Sequence, residues 1–315
     1  MNGSTAFVIL NPAAGHGRAG RAWPLTARAL DEAGIRYHLA RTEAPGEGTV
    51  LAARAVAQGY DPLIAVGGDG TTNEVVNAIL AAPGSPETRP RLGIISCGTG
   101  RDLVRTLGIP REIRQAAAIL ATGAVRPFDV GRIVFHQPGG PSRTRYFVNI
   151  ADAGLGGETA DRVNRTTKLF GGFLSFFWGA LASLARYRNK KVRLSIDGEP
   201  SHDLHLTIAV VANARYFAGG MFVAPNAVPD DGLFDIITLN GVGRLGRVPL
   251  LLRVYCGRHL GHPRLIQRRC RTVTITSEER VHVEADGELA GFLPATFDIL
   301  PGAIRIIAPA GGSSQ

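Results

Sequence analysis

The chain is organised around Ile64-Ala-Val-Gly-Gly-Asp-Gly-Thr-Thr-Asn-Glu-Val-Val-Asn77, where an apolar run leads into a glycine loop and then a helical pattern. This order predicts a strand, a tight turn and a helix, with Thr71-Thr72-Asn73 as the polar cap of the helix. Glycines let the backbone approach a ligand, and the first amides of a helix bind phosphate. Asp69 would repel phosphates unless a divalent cation lay between them. The motif therefore predicts a magnesium-nucleotide site, and a turn that merely needs glycine is the alternative.

Strand-like and helix-like patterns alternate on both sides of this motif. Apolar runs predict strands covered on both faces, as in a parallel sheet. Strands are predicted at 6–10, 37–41, 63–66 and 92–96, and helices at about 19–34 and 49–58. Glycine loops follow Leu10, Val66 and Ser96. Because ligands bind beyond the carboxyl ends of parallel strands, these loops predict one nucleotide cleft.

The second half of the chain has a different period. Apolar and polar residues alternate over 204–210 and 281–284, which predicts half-buried antiparallel strands. The predicted fold class is therefore α/β, with an N-terminal three-layer α/β domain at 1–127 and a C-terminal antiparallel β-sandwich domain at 128–308. Residues 309–315 are predicted to be a disordered tail.

Composition limits the classes of partner. The chain has 315 residues, 45% hydrophobic content, a formal net charge of +9 and a pI near 10.1. This basic balance predicts attraction to a polyanion, either nucleic acid, an anionic membrane surface or a phosphorylated substrate. Three scattered cysteines and the absence of a signal-peptide pattern favour a cytoplasmic protein.

An uncharged segment at 169–185 is followed by the basic segment 186–191. Glycines interrupt the uncharged segment, and its length is at the lower limit for spanning a bilayer, so a buried or groove-lining helix is favoured. In the functional interpretation it accepts an acyl chain while its basic end contacts anionic headgroups. Ordinary core packing is the alternative.

Two acids lie close together in Asp286-Gly287-Glu288. A kinase acting on an alcohol needs a carboxylate near the hydroxyl and magnesium to neutralise the transferred phosphoryl group. Asp286 and Glu288 could divide those roles, although Asp-Gly is also a common hairpin turn.

The turn 225–233 offers acids and carbonyl oxygens of the kind that bind magnesium or calcium.

Five ordered motifs give the chain a resemblance to the diacylglycerol kinase catalytic-domain family, which includes bacterial soluble lipid kinases and the sphingosine and ceramide kinases. These motifs are Asn11-Pro-Ala-Ala-Gly15, Gly67-Gly-Asp-Gly-Thr71 with Asn73-Glu74, Gly98-Thr-Gly-Arg-Asp102, Ala224-Pro-Asn226 with Asp231-Gly-Leu233, and Asp286-Gly-Glu288. The resemblance extends from about residue 5 to 308. It implies a first domain similar to NAD kinases and phosphofructokinases, a β-sandwich second domain, and ATP between them.

The resemblance also implies roles for individual residues. The ATP site would comprise Asn11, Thr42, Gly67, Gly68, Asp69, Gly70, Thr71, Thr72, Asn73 and Thr99. The proton acceptor would be Asp286 or Glu288, with Asp69 as a rival.

The metal and substrate regions follow from the same resemblance. Asp231 and the main-chain carbonyls of Val228 and Leu233 resemble the structural magnesium site of the family. Asp129 matches a family acid near the cleft. Arg101 stands where the family usually has asparagine before Asp102, which leaves the role of Asp102 open.

The expected function is that of an ATP-dependent lipid kinase that uses Mg²⁺ and phosphorylates the hydroxyl of a lipid alcohol such as diacylglycerol. The protein is expected to be cytoplasmic and to bind the lipid at the inner face of a membrane through peripheral contact. The alternatives are a kinase of a soluble substrate such as NAD, and a nucleic-acid-binding protein, which the missing basic-aromatic patch disfavours. The lipid used and the formation of a homodimer are left open.

Overall fold

The computed structural model describes residues 5–136, 140–159 and 186–310. The strands are β1 (Ala6–Leu10), β2 (Tyr37–Arg41), β3 (Leu63–Gly67), β4 (Leu92–Ser96), β5 (Ala124–His136), β6 (Arg143–Phe147), β7 (Ile150–Gly154), β8 (Lys190–Ile196), β9 (His202–Ala212), β10 (Tyr216–Phe217), β11 (Met221–Phe222), β12 (Phe234–Asn240), β13 (Leu265–Cys270), β14 (Thr272–Thr276), β15 (His282–Ala285) and β16 (Glu288–Ala308). The helices are α1 (Arg18–Glu32), α2 (Glu47–Ala57), α3 (Asp69–Ala81), α4 (Asp102–Thr106), α5 (Ile113–Thr122) and α6 (Arg244–Tyr255). The predicted apolar segment 169–185 and the chain end at 311–315 lie outside the described residues.

A parallel sheet forms the first half of the molecule, with strands in the order β2, β1, β3, β4. Residues of β3 are fully buried, as the continuous apolar runs predict for a sheet covered on both faces. Helix α1 packs beside α5, and α2 packs beside α3. The predicted α/β class is confirmed, and the predicted strands agree with the observed ones to within a residue.

Antiparallel strands form the second half, again as predicted from the alternation of apolar and polar residues. Hydrogen bonding passes from β7 through β9, β8, β14, β16 and β15 back to β7, so the layers of the sandwich join at their edges. Their inward side chains form a second core, in which the Phe147 and Phe234 rings stack at 5.6 Å. This core supports the strands that carry the acids of the second half.

Strands β5 and β16 connect the two halves, because they pair along most of their length. The last part of β16 pairs in parallel with β4 at Ile306 and Leu92, and the apolar side chains of 303–308 pack in the first core. The end of the chain therefore returns to the N-terminal half. The division at residue 127 stays a prediction, and the structure adds that the polypeptide crosses between the halves twice along paired strands.

Within the described parts of the chain, no helix is both long enough and apolar enough to cross a membrane.

Candidate active site

The structure brings the glycine loops that follow β1, β3 and β4 together at one edge of the parallel sheet. Asn11 Nδ2 donates to Thr71 Oγ1 at 3.2 Å, which joins the first loop to the second. Arg18 Nε and Nη2 donate to Cys97 O at 3.0 and 2.9 Å, which joins the first loop to the third. These contacts arise because parallel strands present their carboxyl ends at the same edge.

The helix after the central glycine loop begins earlier than predicted. Gly68 has extended backbone, and α3 starts at Asp69, so Thr71-Thr72-Asn73 lies inside the helix and is buried. The prediction of a polar cap was wrong because these side chains bind neighbouring groups: Thr72 Oγ1 donates to Gly68 O at 3.3 Å. The first amides of α3 therefore lie at the loop itself, where a side chain added at Gly70 would meet only open space.

Asp69 and Asp102 lie on either side of Gly100. A Cβ added at Gly100 would be 2.8 Å from Asp69 Oδ2 and 3.4 Å from Asp102 Oδ2. The backbone amide of Arg101 donates to Asp69 Oδ2 at 2.9 Å, and that of Gly219 donates to Asp102 Oδ2 at 2.9 Å.

These two carboxyls have perturbed acidities. Burial raises the pKa of Asp69, against the lowering effect of backbone hydrogen bonds from 101–103. Burial also raises the pKa of Asp102 to about 6, and the nearby charge of Asp69 adds to the increase. Asp102 Oδ1 is buried, and none of the residues that the structure describes hydrogen-bonds to it. A pair of carboxyls with an unsatisfied oxygen suits a cation that is also bound by phosphates.

Two arginines crowd the third glycine loop. Arg18 Nη2 and Arg101 Nε both donate to Gly98 O, the latter at 3.2 Å. Burial and the charges of Arg18 and Arg111 lower the pKa of Arg101. Among the described residues neither Arg18 nor Arg101 has a carboxylate within ion-pair distance. Adjacent cations without a balancing acid favour an anion at this place.

Asp286 and Glu288, the predicted proton acceptors, have different surroundings. Asp286 accepts four hydrogen bonds, from the amides of 148–150 at 2.8, 2.9 and 3.2 Å and from Asn73 Nδ2 at 2.7 Å. Its oxygens are fully engaged, which argues for a positioning role. The Glu288 side chain is 64% exposed and forms an ion pair with Arg145. Of the two, Glu288 has the more accessible carboxylate.

A buried acid pair was missed by the sequence analysis. Asp152 of β7 and Glu284 of β15 are paired in register on neighbouring strands, so their carboxyls lie side by side. Both are essentially inaccessible to solvent. Burial raises the pKa of each, and the charge of Asp152 raises that of Glu284 further. Burial and the adjacent Asp152 charge therefore favour the protonated form of Glu284 over a second buried negative charge. The available signal was an acid in the apolar run 150–154 facing an acid in an alternating strand.

Replacing Glu284 by glutamine is expected to reduce the loss of stability that occurs as the pH rises. The folded-state pKa of Glu284 is raised, so its proton stabilises the fold fully below about pH 4.3, and that stabilisation is lost as the pH rises through the folded pKa. Glutamine keeps a donor towards Asp152 and an acceptor for the Gly287 amide, which lies 2.7 Å from Glu284 Oε1, but has no proton to lose. Urea unfolding at about pH 5 and about pH 8 measures the difference.

The exposed Glu278 gives a matched control, because its side chain is 94% exposed. Glu278→Gln should keep the pH dependence of the wild type. The same slope for wild type and Glu284→Gln would contradict a raised pKa at Glu284.

One cavity of about 400 Å³ joins the phosphate-loop acids to the second half of the molecule. Asp69, Asp102 and Asp286 lie on its wall, together with Glu284 and Gly287. Its inner part is apolar and is lined by Val210, Ile237, Leu239, Leu250, Val254 and Leu265. The cavity therefore offers a polar end beside the glycine loops and an apolar end in the β-sandwich.

Three further residues of the predicted site are Thr42, Thr99 and Asp129. Thr42 is buried, and its amide donates to Leu10 O at 2.9 Å, beside the first loop. Thr99 is exposed between the two glycines of the third loop. Asp129 accepts the amides of Gly232 and Gly302, each at 2.7 Å, so it fixes the turn 228–233. Asp129 is not among the residues that line the cavity, and its place in the substrate region stays a prediction.

The predicted structural metal site involves Asp231 and the carbonyls of Val228 and Leu233. In the structure Asp231 Oδ1 accepts the Leu233 amide at 3.0 Å, and Asp231 Oδ2 forms an ion pair with Arg269. A guanidinium therefore supplies the positive charge that a metal would supply. The described residues contain no cluster of three or more metal-binding side chains. The residues at this turn do not fit the predicted metal as they stand, and no step of a mechanism depends on it.

Glycine loops, paired acids and a cavity shared with the β-sandwich together define a phosphotransferase. Residues 5–133 match the diacylglycerol kinase catalytic domain, and residues 149–308 match the YegS C-terminal NAD kinase beta sandwich-like domain. The chain belongs to the diacylglycerol kinase family, as the resemblance predicted.

Individual proteins that are similar to this chain carry the name of the same family. A diacylglycerol kinase of Staphylococcus carnosus is 30% identical over 306 residues, covering 96% of this chain and 95% of the relative. One from Staphylococcus aureus is 31% identical and covers 96% and 92%. Two solved structures show the fold alone. A diacylglycerol kinase from Bacillus anthracis has 22% identity, a TM-score of 0.73 and 98% coverage of both chains. An Archaeoglobus fulgidus NAD kinase in complex with ATP has 14% identity, a TM-score of 0.51 and coverage of 98% and 96%.

Proposed function

We propose that the protein transfers the γ-phosphate of ATP to the hydroxyl of a lipid alcohol such as diacylglycerol. The observation that carries this proposal is the single cavity that runs from Asp69 and Asp102 to an apolar chamber. A soluble dinucleotide would leave that chamber unused, whereas an acyl chain matches its lining in polarity.

The donor phosphates would bind at the converging glycine loops. The first amides of α3 and the guanidiniums of Arg18 and Arg101 supply hydrogen-bond donors and positive charge there. Asp69 and Asp102 would hold a magnesium ion that is also bound by ATP, and this ion would neutralise charge on the transferred group. These residues fit that ion because Asp102 Oδ1 has no other partner among the described residues.

The acceptor hydroxyl would lie at the polar end of the cavity, near the Asp286-Gly287 turn. Its oxygen forms a bond to the γ-phosphorus as the bond from that phosphorus to the ADP oxygen breaks. The hydroxyl proton goes to Glu288, which has an accessible carboxylate, while Asp286 fixes the turn. The apolar walls keep water away from the reacting phosphate.

Arg101→Asn is expected to raise the KM for ATP by about tenfold, because a charged donor to phosphate is removed. The backbone at Arg101 has φ +59°, a region that asparagine tolerates, so the unfolding temperature should not change. Steady-state kinetics with varied ATP measure the effect. Arg114→Asn, at an exposed position on α5, serves as the control. An unaltered KM in Arg101→Asn would place the arginine pair outside the nucleotide site.

A substrate screen tests the function itself. The purified chain is incubated with labelled ATP and magnesium, and with either diacylglycerol in detergent micelles or NAD. We expect label in phosphatidic acid and none in NADP. Label in NADP alone would instead identify a kinase of soluble dinucleotides. Because the lipid lies in a bilayer in the cell, the proposed place of action is the inner face of the cytoplasmic membrane.

A further inference from the structure

Helix α6 exposes an apolar face to solvent. The exposed fractions are 93% for Leu245, 46% for Val248, 67% for Leu252 and 41% for Tyr255. These residues are three, seven and ten positions after the first, so they lie on one side of a helix with 3.6 residues per turn. Contiguous exposed apolar side chains are uncommon on monomeric soluble proteins, and they mark interaction surfaces.

The opposite side of the same helix forms a wall of the active-site cavity. Leu250, Leu251 and Val254 line the apolar chamber, and Tyr255 lies at the edge shared by both sides. The width of a single helix, about 10 Å, therefore separates the chamber from the exposed face. A molecule bound at that face is next to the place where the lipid chains are proposed to lie.

The surroundings of α6 are basic. Residues 241–270 contain seven arginines and no aspartate or glutamate. Arg244, Arg253 and Arg258 are exposed, and none of the described carboxylates forms an ion pair with them. An apolar helix face flanked by exposed arginines is the pattern of a helix that lies in the headgroup region of an anionic membrane.

A second copy of the chain fits this surface less well. In a two-fold symmetric dimer each patch meets itself, so the arginines of one copy would face those of the other. The segment 241–270 offers no acid to balance them. Anionic lipid headgroups supply the opposite charge, and their acyl chains accept the leucines.

We propose that the exposed face of α6, formed by Leu245, Val248, Leu252 and Tyr255, binds the surface of a bilayer that contains anionic phospholipids. The entry of a lipid substrate past this helix into the cavity follows if the proposed function holds. Binding of the bilayer itself requires neither ATP nor turnover.

The test is sedimentation with vesicles in the absence of ATP. One set of vesicles contains phosphatidylcholine alone, and the other contains phosphatidylcholine with phosphatidylglycerol. The wild type should bind the anionic vesicles at least about tenfold more tightly. The double variant Leu245→Ser with Leu252→Ser should lose at least about tenfold of that affinity while its unfolding temperature stays unchanged, since both side chains are exposed.

A matched control places the same type of substitution on helices of the N-terminal half. Leu25→Ser with Val50→Ser alters side chains that are 43% and 49% exposed on α1 and α2. It should bind anionic vesicles as the wild type does. The proposal would be overturned if the wild type did not bind anionic vesicles, or if the Leu245/Leu252 variant bound them with the affinity of the wild type.

Two further measurements separate the alternatives. Sedimentation equilibrium measures whether the wild type forms a dimer and whether the Leu245/Leu252 substitutions dissociate it. A dimer that they dissociate, without vesicle binding, would assign the face to a second copy of the chain. Kinase activity on a short-chain diacylglycerol in detergent should be equal in wild type and double variant. Loss of vesicle binding with that activity intact supports the membrane face, whereas absence of activity in both proteins tells against the proposed function alone.

Discussion

Glu288→Gln is expected to lower kcat for lipid phosphorylation by at least about 10²-fold, the usual size of a general-base contribution. Glutamine has the shape of glutamate but cannot take the hydroxyl proton. The Glu288 side chain is 64% exposed and its ion pair with Arg145 lies at the surface, so its contribution to stability is about 1 kcal/mol or less. Activity should fall while the unfolding temperature stays near that of the wild type. Rates with labelled ATP and thermal unfolding measure the two quantities.

Arg145→Gln provides the control for this prediction, because it breaks the same ion pair and leaves the carboxylate in place. That variant should keep a rate within a few-fold of the wild type. A near-native rate in Glu288→Gln would remove Glu288 from the chemistry. Asp69, which lies on the cavity wall, would then be the acid to test as the proton acceptor.

The sequence was sufficient to predict the parallel sheet and its loop edge. Continuous apolar runs and glycine loops are local features, and the rule that strand ends meet at one edge turns them into a site. The contact between Asn11 and Thr71 and the contact between Arg18 and Cys97 are results of that rule. Alternation of apolar and polar residues likewise predicted the antiparallel half.

Long-range pairing set the limit of sequence prediction. Asp152 and Glu284 are far apart in the chain and meet only because β7 and β15 pair in register. Arg101 was recognised as unusual, but its crowding with Arg18 depends on how two loops fold against each other. The start of α3 was placed too late, because capping preference acts locally while the burial of Thr71-Thr72-Asn73 is tertiary.

The role of Asp286 also depends on such contacts. The sequence offered it as a catalytic acid, yet its carboxylate connects α3, through Asn73, to the amides of 148–150. It therefore joins the phosphate-loop helix to the β-sandwich. The Asp286-Gly287 turn has positive φ at both residues, +50° and +88°, as a tight hairpin requires.

Asp286→Ala is accordingly expected to reduce the free energy of unfolding by roughly 3–5 kcal/mol, and to abolish transfer as well. Removal of the carboxylate leaves three buried amides and the side-chain amide of Asn73 without their acceptor, and each such group costs about 1–3 kcal/mol before the structure relaxes. Urea unfolding monitored by fluorescence or circular dichroism measures the loss. Asp286→Asn should give an intermediate loss, because one acceptor oxygen is retained.

Asp197 is the matched control, since it occupies a similar Asp-Gly turn with φ +49° and accepts the amides of Arg271 and Thr272, each at 2.8 Å. Asp197 is exposed, so water can replace its carboxylate after Asp197→Ala, and the loss of stability should be near 1 kcal/mol. Equal losses in the two alanine variants would mean that turn geometry, rather than the buried bridge between helix and sandwich, determines the effect. A stable Asp286→Ala that is nevertheless inactive would contradict the buried bridge as a source of stability, and Asp286 would again be a candidate for the chemistry.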